Sequence, residues 1–534
     1  LLKIYRELLH ELSKYLNKAH NKSYKLIYWE NIIGRWLFTF LSITYERWLS
    51  LKDIDKKFKK IKISVPNYSL EDFIPYGIED FTYYTQSSFW NDYIYYEILK
   101  YFKFKSIKNN FIKKKFTNLD IQSINEKFSK KNISLKGNLL DKFRSFSSRY
   151  NKNLKYFIFE TYLPKSDEIE LNYQLNKKFT FFNSIKLNHW FHRLNLSNNF
   201  DLDKRMKFSK SKETSFQNFI KNFCIKNLPK CYLEKFDLTN RILIEYELPS
   251  NPKMIFTTLV ISRNTLMDIY ISNKVKDGTK LIIAQHGGAY GQNKIHWETI
   301  HEHSISDNFL SWGFKFNKKT KKLGTIRKQS KKKVYFSKKI ILLEIRVRTL
   351  YSSTFRMDAG AINNYLYIKS IYDFFLNIKD KNILKDLRVK LHQKTFGSKD
   401  KKLIIKANKK IRFLDSNMGS KDFYNSSKIV IHTSISTGHL ESLSENVPTL
   451  ILFIYDLNLF SKKTRDYLRK LKKLKVLHDN YQSLINHLKK INNDPNKWWN
   501  NNEIQNIRKR YLNDFAFNNY NMKNDLLKII KKKF

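Results

Sequence analysis

The sequence predicts an α/β protein of two facing doubly wound domains, the first of which carries a large helical N-terminal elaboration. Three observations support this fold class. The chain of 534 residues is too long for a single core. Apolar residues follow helical spacing up to about residue 240, and short β-rich runs then alternate with helical patterns. A stretch with ten basic residues and no acid, 315–333, separates two such alternating regions.

The alternation divides the chain into five parts. They are a helical, aromatic-rich region (1–240) and an α/β region (241–314) of the N-terminal domain, a basic linker (315–333), a C-terminal α/β domain (334–495) and a basic helical tail (496–534). In the α/β region, "RILIEYELP", "MIFTTLVIS" and "KLIIAQ" are predicted strands, and a helix lies between the last two. Ligand is expected in the crevice at the carboxyl ends of the strands.

The formal charge of +53 comes from 101 basic and 48 acidic residues. We interpret much of it as compositional, because joint richness in Lys, Asn, Ile, Phe and Tyr is typical of an AT-rich coding sequence. No nucleic-acid-binding motif is present in the sequence, so a nucleic-acid partner is not expected. Peripheral contact with an anionic membrane surface stays open.

The two cysteines, Cys224 and Cys231, have no further Cys or His at zinc spacing, so we expect a reduced chain without a structural metal. The apolar run 36–45 is too short for a spanning helix, which needs about 20 residues. No signal-peptide pattern is present at the start of the sequence, and a cytoplasmic protein is expected.

A glycine-rich turn after a buried strand pattern is the first candidate site. The apolar run 281–284 leads to Gln285, His286, Gly287 and Gly288. The two glycines and Gln285 are predicted to form a backbone loop that a sugar or phosphate can approach. His286 is the predicted general base on an acceptor hydroxyl. The alternative is a tight turn with a structural histidine.

Asp307 precedes an aromatic strand pattern and is the second predicted catalytic residue, either orienting His286 or acting as the base itself. Its alternative role is to cap a turn. His296, His301 and His303 follow the glycine-rich turn, but their spacing matches no zinc motif, so no metal is expected.

A second candidate site lies in "KIVIHTSISTGHLESLSENVPTLILF". A buried strand ends in small polar residues, and a helix begins near Thr437 and Gly438. Free N–H groups at that helix start, with the hydroxyls of Ser434 and Ser436, suit a diphosphate. Glu441 lies one turn further on, where a carboxylate can reach ribose hydroxyls. Ordinary helix capping is the alternative.

A third candidate site is basic. Arg388, Lys390 and His392 alternate in "LRVKLHQ" and therefore share one face of a predicted strand. Such a face can neutralise donor phosphates as a leaving group departs, although a solvated strand edge would look the same. Arg346 and Arg348 are further candidates for phosphate contact.

The second site resembles the C-terminal signature of GT-B glycosyltransferases, through the order Leu440, Glu441, Ser442 and Leu443, then Pro448 before an apolar strand. The resemblance implies a GT-B-like fold of two facing Rossmann-type domains with nucleotide bound to the C-terminal one. It also implies that Glu441 binds the ribose of a nucleotide-sugar donor.

A wider resemblance rests on "LNKAHNKSYKLIYWENIIGRWLFTFLSITYERW", "IIAQHGGAYGQNKIHWETIHEHSISDNFLSWGF" and "VIHTSISTGHLESLSENVPTLI". These stretches resemble transferases encoded in bacterial O-antigen and surface-polysaccharide clusters. The family carries a further N-terminal strand region, and this chain begins with Leu1, so we expect an N-terminally truncated sequence. The resemblance implies a metal-independent, cytoplasmic glycosyltransferase without a cofactor, acting on a nucleotide sugar and on a saccharide or lipid-linked acceptor, with possible contact at the inner membrane face.

Three alternatives remain open at the level of sequence. The basic strand loosely resembles a motif of teichoic-acid glycerophosphotransferases and capsule Kdo transferases, which implies CDP-alcohol phosphotransfer, although the motif's proline is missing. A nucleotide epimerase would share the fold. A non-catalytic basic protein that binds nucleic acid or anionic lipid would show strongly salt-dependent binding.

Overall fold

The structure is a computed structural model. It describes residues 1–113, 151–178, 200–208, 215–258, 263–326, 340–345, 361–392, 400–415 and 421–531, apart from positions 69, 86, 207, 247 and 425. Arg346, Arg348 and part of the predicted basic linker, 327–333, lie outside these ranges.

The described residues include two large parallel sheets flanked by helices, which confirms the predicted α/β class. The first sheet has the order β3-β4-β5-β6-β7. Its strands are β3 (Tyr156–Ile158), β4 (Met254–Thr257), β5 (Lys280–Ala284), β6 (Asn308–Ser311) and β7 (Thr320–Lys322). Helices α9 (Thr265–Lys276) and α10 (Trp297–Ile305) connect β4 to β5 and β5 to β6.

The second sheet has the order β10-β9-β8-β11-β12-β13, again parallel throughout. Its strands are β8 (Ile340–Glu344), β9 (Leu387–Lys390), β10 (Arg412–Phe413), β11 (Ser427–His432), β12 (Thr449–Leu452) and β13 (Leu477–His478). Its helices are α11 (Ala361–Asn377), α12 (Lys381–Asp386), α13 (Asp400–Ala407), α14 (Lys421–Tyr424), α15 (Thr437–Ser444), α16 (Lys462–Lys473) and α17 (Tyr481–Ile491).

The N-terminal region is helical, as predicted. Its helices are α1 (Leu2–Ala19), α2 (Leu26–Lys57), α3 (Ile78–Tyr84), α4 (Ser88–Tyr101), α5 (Lys165–Asn176), α6 (Leu202–Met206), α7 (Phe216–Asn227) and α8 (Phe236–Glu245), and a small parallel pair joins β1 (Ile61–Asn67) to β2 (Ile107–Lys113). Trp29 and Trp36 of α2 are fully buried, Trp29 against the rings of His20 and Phe236 and Trp36 against those of Phe40 and Phe81. The same helix packs against α9 and α10. In the described part of the chain, none of the helices combines the length and apolarity needed to cross a membrane.

Two expectations about boundaries are wrong. The predicted strand at 241–249 is instead the end of α8, because Thr239, Ile242 and Leu243 are buried at helical spacing while Ile244 is exposed. The first sheet also begins earlier and ends later than expected. Its strand β3 lies within the predicted helical region, and β7 lies within the predicted basic linker.

The C-terminal helices return to the first sheet. They are α18 (Pro495–Trp499), α19 (Asn502–Phe515) and α20 (Met522–Lys531). Leu526 and Ile530 of α20 are buried in the core that covers the face of the first sheet carrying Met254 and Phe256. The amide of Phe517 donates a 2.7 Å hydrogen bond to the carbonyl of Trp312, just beyond β6. In α19, Nη1 of Arg508 donates to the carbonyl of Leu443 in α15 at 2.7 Å, so the tail contacts both domains.

Candidate functional site between the two sheets

The turn after β5 is fixed by a buried amide side chain. Nε2 of Gln285 donates to the carbonyl of Gly287 at 2.7 Å, and its Oε1 accepts from the amide of Trp312 at 2.7 Å. Both polar ends of this fully buried side chain are thus bound to backbone. Gln285 shapes the loop rather than presenting a group to a ligand, which differs from the predicted role.

His286 lies at the carboxyl edge of the first sheet, as predicted, with 13 % of its side chain exposed. Its Nε2 is 3.1 Å from Nη2 of Arg263, and its Nδ1 is 2.9 Å from Oη of Tyr290. Tyr290 Oη is in turn 2.9 Å from each carboxylate oxygen of Glu302 on α10. Arg263, Tyr290 and Glu302 were not singled out from the sequence, although Tyr290 belongs to the same "QHGGAYG" stretch.

Burial dominates the electrostatics behind His286. It raises the pKa of Glu302 well above the ordinary value, and the negative charge of Glu298 adds to this effect. The hydroxyl of Tyr290 opposes the shift by hydrogen bonding, as do the positive charges of Arg263 and Arg35. Burial also raises the pKa of Tyr290, with Glu302 as the next cause, so this phenol keeps its proton.

The other three histidines of this region are packed side chains. His296 caps α10 through Thr299, and His303 contacts the carbonyl of Thr299 at 2.6 Å and Oγ1 of Thr320 at 3.0 Å. His301 stacks on Trp297. Burial lowers the pKa of His301 to about 3 and that of His303 to about 4. No group of three or more His, Cys, Asp or Glu side chains that could hold a metal is found among the described residues.

Asp307 is placed at the wrong edge of the sheet for catalysis. Its Oδ2 accepts from the amide of Leu281 at 2.9 Å, where β5 begins, whereas His286 follows the end of that strand. Its other oxygen is 3.5 Å from Nζ of Lys280. The expectation that Asp307 orients His286 or acts as the base is therefore wrong. The capping role considered as its alternative is the one observed.

Gly288 brings the two sheets together. Its amide donates a 3.0 Å hydrogen bond to Oγ1 of Thr437, the first residue of α15. A Cβ at Gly288 would lie 2.8 Å from the backbone of Ser436 and Thr437. The missing side chain is needed for this approach of protein to protein, whereas a ligand was expected at Gly288. Gly287 has more room, because a Cβ there would lie 3.8 Å from Thr437 Oγ1.

The helix α15 begins at the predicted position, and its N-terminus faces this turn. Ser436 is the N-cap, its Oγ lies 3.5 Å from Oγ of Ser434, and its amide donates to Nδ1 of His439 at 2.9 Å. Glu441 lies one turn into the helix and is half-buried. The structure thus brings Ser434, Ser436, Thr437 and Gly438 to the carboxyl edge of β11.

An acidic side chain that the sequence analysis missed lies beside that helix terminus. The carboxylate of Glu344, at the end of β8, is 2.9 Å from Nδ1 of His432. One of its oxygens would lie 3.0 Å from a Cβ at Gly438, so this glycine makes room for the acid. Nothing in the local pattern of "KIILLEIRV" distinguishes Glu344 as a site residue, because only tertiary packing brings β8 next to β11.

The predicted basic strand, β9, brings fewer of its basic side chains to the crevice than expected. Nη1 of Arg388 donates to the carbonyls of Lys385 and Leu387 at 2.8 and 2.9 Å, at the amino end of β9 and away from the crevice. Lys390 is buried at the carboxyl end, in register with Glu344 of β8, and His392 follows it as an exposed residue. Arg388 is therefore not placed to contact a donor phosphate, and the prediction for it is wrong.

A chain of hydrogen bonds links the turn after β5 to helix α15 through Tyr511 of the C-terminal tail. The side-chain amide of Gln292 donates to the carbonyl of Gly288, and its oxygen accepts from the hydroxyl of Tyr511 on α19. That hydroxyl is 3.1 Å from Nε2 of His439 on α15. Because Nδ1 of His439 accepts from Ser436, its Nε2 carries the proton and donates to Tyr511.

Three solved structures are similar to this chain at a low level. The S. aureus MnaA–UDP co-structure has a TM-score of 0.38 and 12% identity, covering 71% of this chain and 96% of that one. Acinetobacter baumannii MurG has a TM-score of 0.31 and 10% identity, with coverages of 55% and 76%. A mutant of Thermobaculum terrenum O-GlcNAc transferase has a TM-score of 0.27 and 9% identity, with coverages of 60% and 62%. All three TM-scores lie below 0.5.

No curated protein matches the sequence at a significant level. The model of one protein family, described as LIC12162 family transferase, matches residues 1–530. This match extends over nearly the whole chain, through both sheets and the C-terminal tail. It confirms the prediction that the protein is an enzyme of the transferase class. The chain belongs to the LIC12162 family of transferases.

Proposed function

We propose that the protein is a glycosyltransferase that moves a sugar from a nucleotide-sugar donor to a hydroxyl of a saccharide or lipid-linked acceptor in surface-polysaccharide biosynthesis. The observation that carries this proposal is the contact between Gly288 and Thr437. It brings the carboxyl edge of one parallel sheet, with His286, against a helix N-terminus at the carboxyl edge of the other. A base and an anion site then face the same crevice.

The donor site is proposed at α15. The first N–H groups of a helix have no intrahelical partner, and the helix dipole favours negative charge there. Thr437 and Gly438 begin this helix, and the hydroxyls of Ser434 and Ser436 lie beside them. A diphosphate at this terminus places the ribose within reach of Glu441. The nearby carboxylate of Glu344 opposes an anion, and His432 offsets its charge when the imidazole is protonated.

The acceptor site is proposed at the turn after β5. His286 would take the proton from the acceptor hydroxyl as this oxygen attacks the anomeric carbon of the donor. A partly exposed imidazole at the crevice can reach such a hydroxyl, and the buried pair Tyr290 and Glu302 supports the ring from behind. We include a lipid-linked acceptor because a chain of net charge +53 is attracted to an anionic bilayer surface, including the inner membrane face.

A nucleotide panel tests the donor site. Thermal unfolding would be followed with UDP, GDP, dTDP, CDP and CMP for the wild type, Glu441→Ala and the matched control Glu445→Ala at the other end of α15. We expect one nucleoside diphosphate to raise the Tm of the wild type and of Glu445→Ala, with the shift lost in Glu441→Ala. A folded protein that responds to none of the five would count against the proposal. A response to CMP alone would favour phosphotransfer.

A further inference from the structure

Arg263 brings a positive charge to the crevice from the connection between β4 and α9. It is exposed, and its Nη2 donates a 3.1 Å hydrogen bond to Nε2 of His286, because arginine can only donate. Within the described ranges, this is the one hydrogen bond of the guanidinium, and no carboxylate there forms an ion pair with it. Most of its N–H groups are therefore left for solvent or for a ligand.

The side chains behind Arg263 do not neutralise its charge. Burial raises the pKa of Glu302 well above the ordinary value, so this carboxyl group is protonated at neutral pH. Burial lowers the pKa of Arg35 of α2, and the positive charge of Arg263 is the next cause, which means that the two guanidinium groups repel each other. Glu298 and Asp268 offset part of this effect on Arg35. An anion in the crevice would relieve the remaining repulsion.

Arg263 and the start of α15 lie against the same two residues of the turn after β5. The guanidinium contacts the imidazole of His286. A Cβ at the next residue, Gly287, would lie 3.8 Å from Oγ1 of Thr437, the first residue of α15. A ligand that lies on His286 and Gly287 can therefore touch a cation of the N-terminal domain and a helix N-terminus of the C-terminal domain.

We propose that Arg263 binds the diphosphate of the donor, so that the anion site at α15 is completed by a side chain of the N-terminal domain. The fork of a guanidinium matches two oxygens of one phosphate group. The choice of a donor diphosphate rests on the proposed function, which places the donor at α15. Arg263 thus makes the phosphate contact that the sequence predicted for Arg388.

The contact with His286 gives Arg263 two positions. In the free protein, Nη2 lies on Nε2 of His286, while Nδ1 lies on the buried side, 2.9 Å from Oη of Tyr290. When the guanidinium turns to the diphosphate, Nε2 is uncovered and can accept the proton of the acceptor hydroxyl. His286 is therefore available as a base only after the donor has bound.

Arg263 also acts on the leaving group. The acceptor oxygen forms a bond to the anomeric carbon, and its proton moves to Nε2 of His286. The bond from the anomeric carbon to the diphosphate oxygen breaks, and its electron pair stays on that oxygen. The guanidinium stabilises the charge that this pair adds to the diphosphate.

Binding of phosphate ligands tests the proposal. The probes are UDP, GDP, dTDP, CDP and inorganic pyrophosphate, which carries the diphosphate without ribose or base. Their affinities would be measured by calorimetric titration at physiological ionic strength, where nonspecific attraction to the basic surface is screened. Four variants would be compared with the wild type: Arg263→Gln, Arg263→Lys, Glu441→Ala and, as a matched control, Arg241→Gln, which removes another exposed arginine of the N-terminal domain.

We expect Arg263→Gln to weaken the binding of pyrophosphate and of the preferred nucleoside diphosphate alike, by about 10–100-fold, the usual contribution of a hydrogen bond to a charged group. Arg263→Lys should give an intermediate loss, because lysine keeps the charge without the fork. Glu441→Ala should weaken only the nucleoside diphosphate, since pyrophosphate has no ribose. Arg241→Gln should bind both probes as the wild type does.

A second measurement needs no phosphate ligand. Diethyl pyrocarbonate acylates an unprotonated imidazole nitrogen, and mass spectrometry of peptides gives the rate at each histidine. Because Nη2 of Arg263 covers Nε2 in the free protein, His286 should react faster in Arg263→Gln than in the wild type or in Arg241→Gln.

The outcomes separate this proposal from the donor site itself. Equal affinities of the wild type and Arg263→Gln for a probe that binds would overturn the role of Arg263 and leave the donor site standing. A loss in Arg263→Gln with none in Glu441→Ala would support Arg263 and count against the ribose contact. Binding of none of the probes to the folded wild type would overturn both. An equal rate at His286 in all three proteins would overturn the covering of Nε2.

Discussion

The amide of Gly288 and the hydroxyl of Thr437 form a 3.0 Å hydrogen bond across the crevice between the two sheets. One partner follows the strand that carries His286, and the other begins the helix that carries Glu441. The first and second candidate sites predicted from the sequence are therefore in contact across the crevice.

Gly288→Ala should force the two sheets apart. The new methyl group would lie 2.8 Å from backbone atoms of Ser436 and Thr437, which cannot move as a flexible side chain would. Overpacking of this kind costs about 1–3 kcal/mol, and we expect that loss in the free energy of unfolding together with weakened nucleotide binding. The matched control is Gly287→Ala, whose methyl group makes an ordinary contact at 3.8 Å. Equal effects of the two substitutions would contradict the prediction.

Tyr511→Phe should destabilise the protein, although it removes only the phenol oxygen. It leaves the buried Oε1 of Gln292 without its donor and Nε2–H of His439 without its acceptor. Each unsatisfied buried group costs roughly 1–3 kcal/mol, measurable by denaturant unfolding. Tyr455→Phe serves as the comparison, because its half-buried hydroxyl makes a longer bond of 3.3 Å to the carbonyl of Asn363. A loss no larger than that of the comparison would show that water replaces the phenol.

Acidification should lower the free energy of unfolding through protonation of His439. Burial, followed by the charge of His432, lowers the pKa of His439 to about 3, whereas an unfolded histidine titrates near 6.5. The unfolded state thus binds a proton that the folded state does not. Stability from this group is present above pH 6.5 and is reduced by about 2 kcal/mol at pH 5.

His439→Asn should remove this part of the pH dependence, although it also lowers stability at pH 8. The measurement is denaturant unfolding at pH 8 and pH 5, with His10→Asn on the exposed face of α1 as the control. An unchanged difference between the two pH values in His439→Asn would argue that other groups are responsible.

Substitutions of His286 and of Asp307 should differ strongly in their effect on the rate of sugar transfer. His286→Gln is expected to lower sugar transfer by about 10²–10⁴-fold, the usual contribution of a general base, with unfolding little changed. Asp307→Asn can still accept from the amide of Leu281, and its side chain is 37 % exposed. Its transfer rate should stay within about twofold of the wild type. Comparable losses in both variants would restore Asp307 as a catalytic candidate.

The fold class and the positions of the two turns could be predicted because they are local. Apolar runs such as 281–284 and 429–431 mark buried strands, and the glycine or small polar residues after them mark the carboxyl edge. The strand predicted at 241–249 was wrong because a local pattern was overridden. "RILIEYELP" has strand-forming composition, but Ile242 and Leu243 are buried on one helical face, and tertiary packing overrides propensity.

The side chains around His286 could not be predicted, because their contacts join distant parts of the chain. Arg263 lies in the turn before α9 and Glu302 lies inside α10, and nothing in the local sequence around either residue distinguishes it. Only the packing of α9 and α10 against β5 brings them to one imidazole. Asp307 was predicted as catalytic because it follows His286 closely in sequence. In the structure it lies at the start of β5, whereas His286 lies beyond the end of that strand. Glu344 was missed for the same reason, since β8 and β11 are far apart in the chain.

The last described helix has a bearing on how the protein matures. Leu526 and Ile530 of α20 complete the core on one face of the first sheet, together with Tyr156 and Met254. During translation, the ribosome makes strands β3 to β7 long before it makes those two residues. One face of the nascent sheet is therefore covered only in part, by α5, while the second domain emerges, a period in which chaperones can act on it. The half of the protein that is made first cannot complete its core until the last described helix has been made.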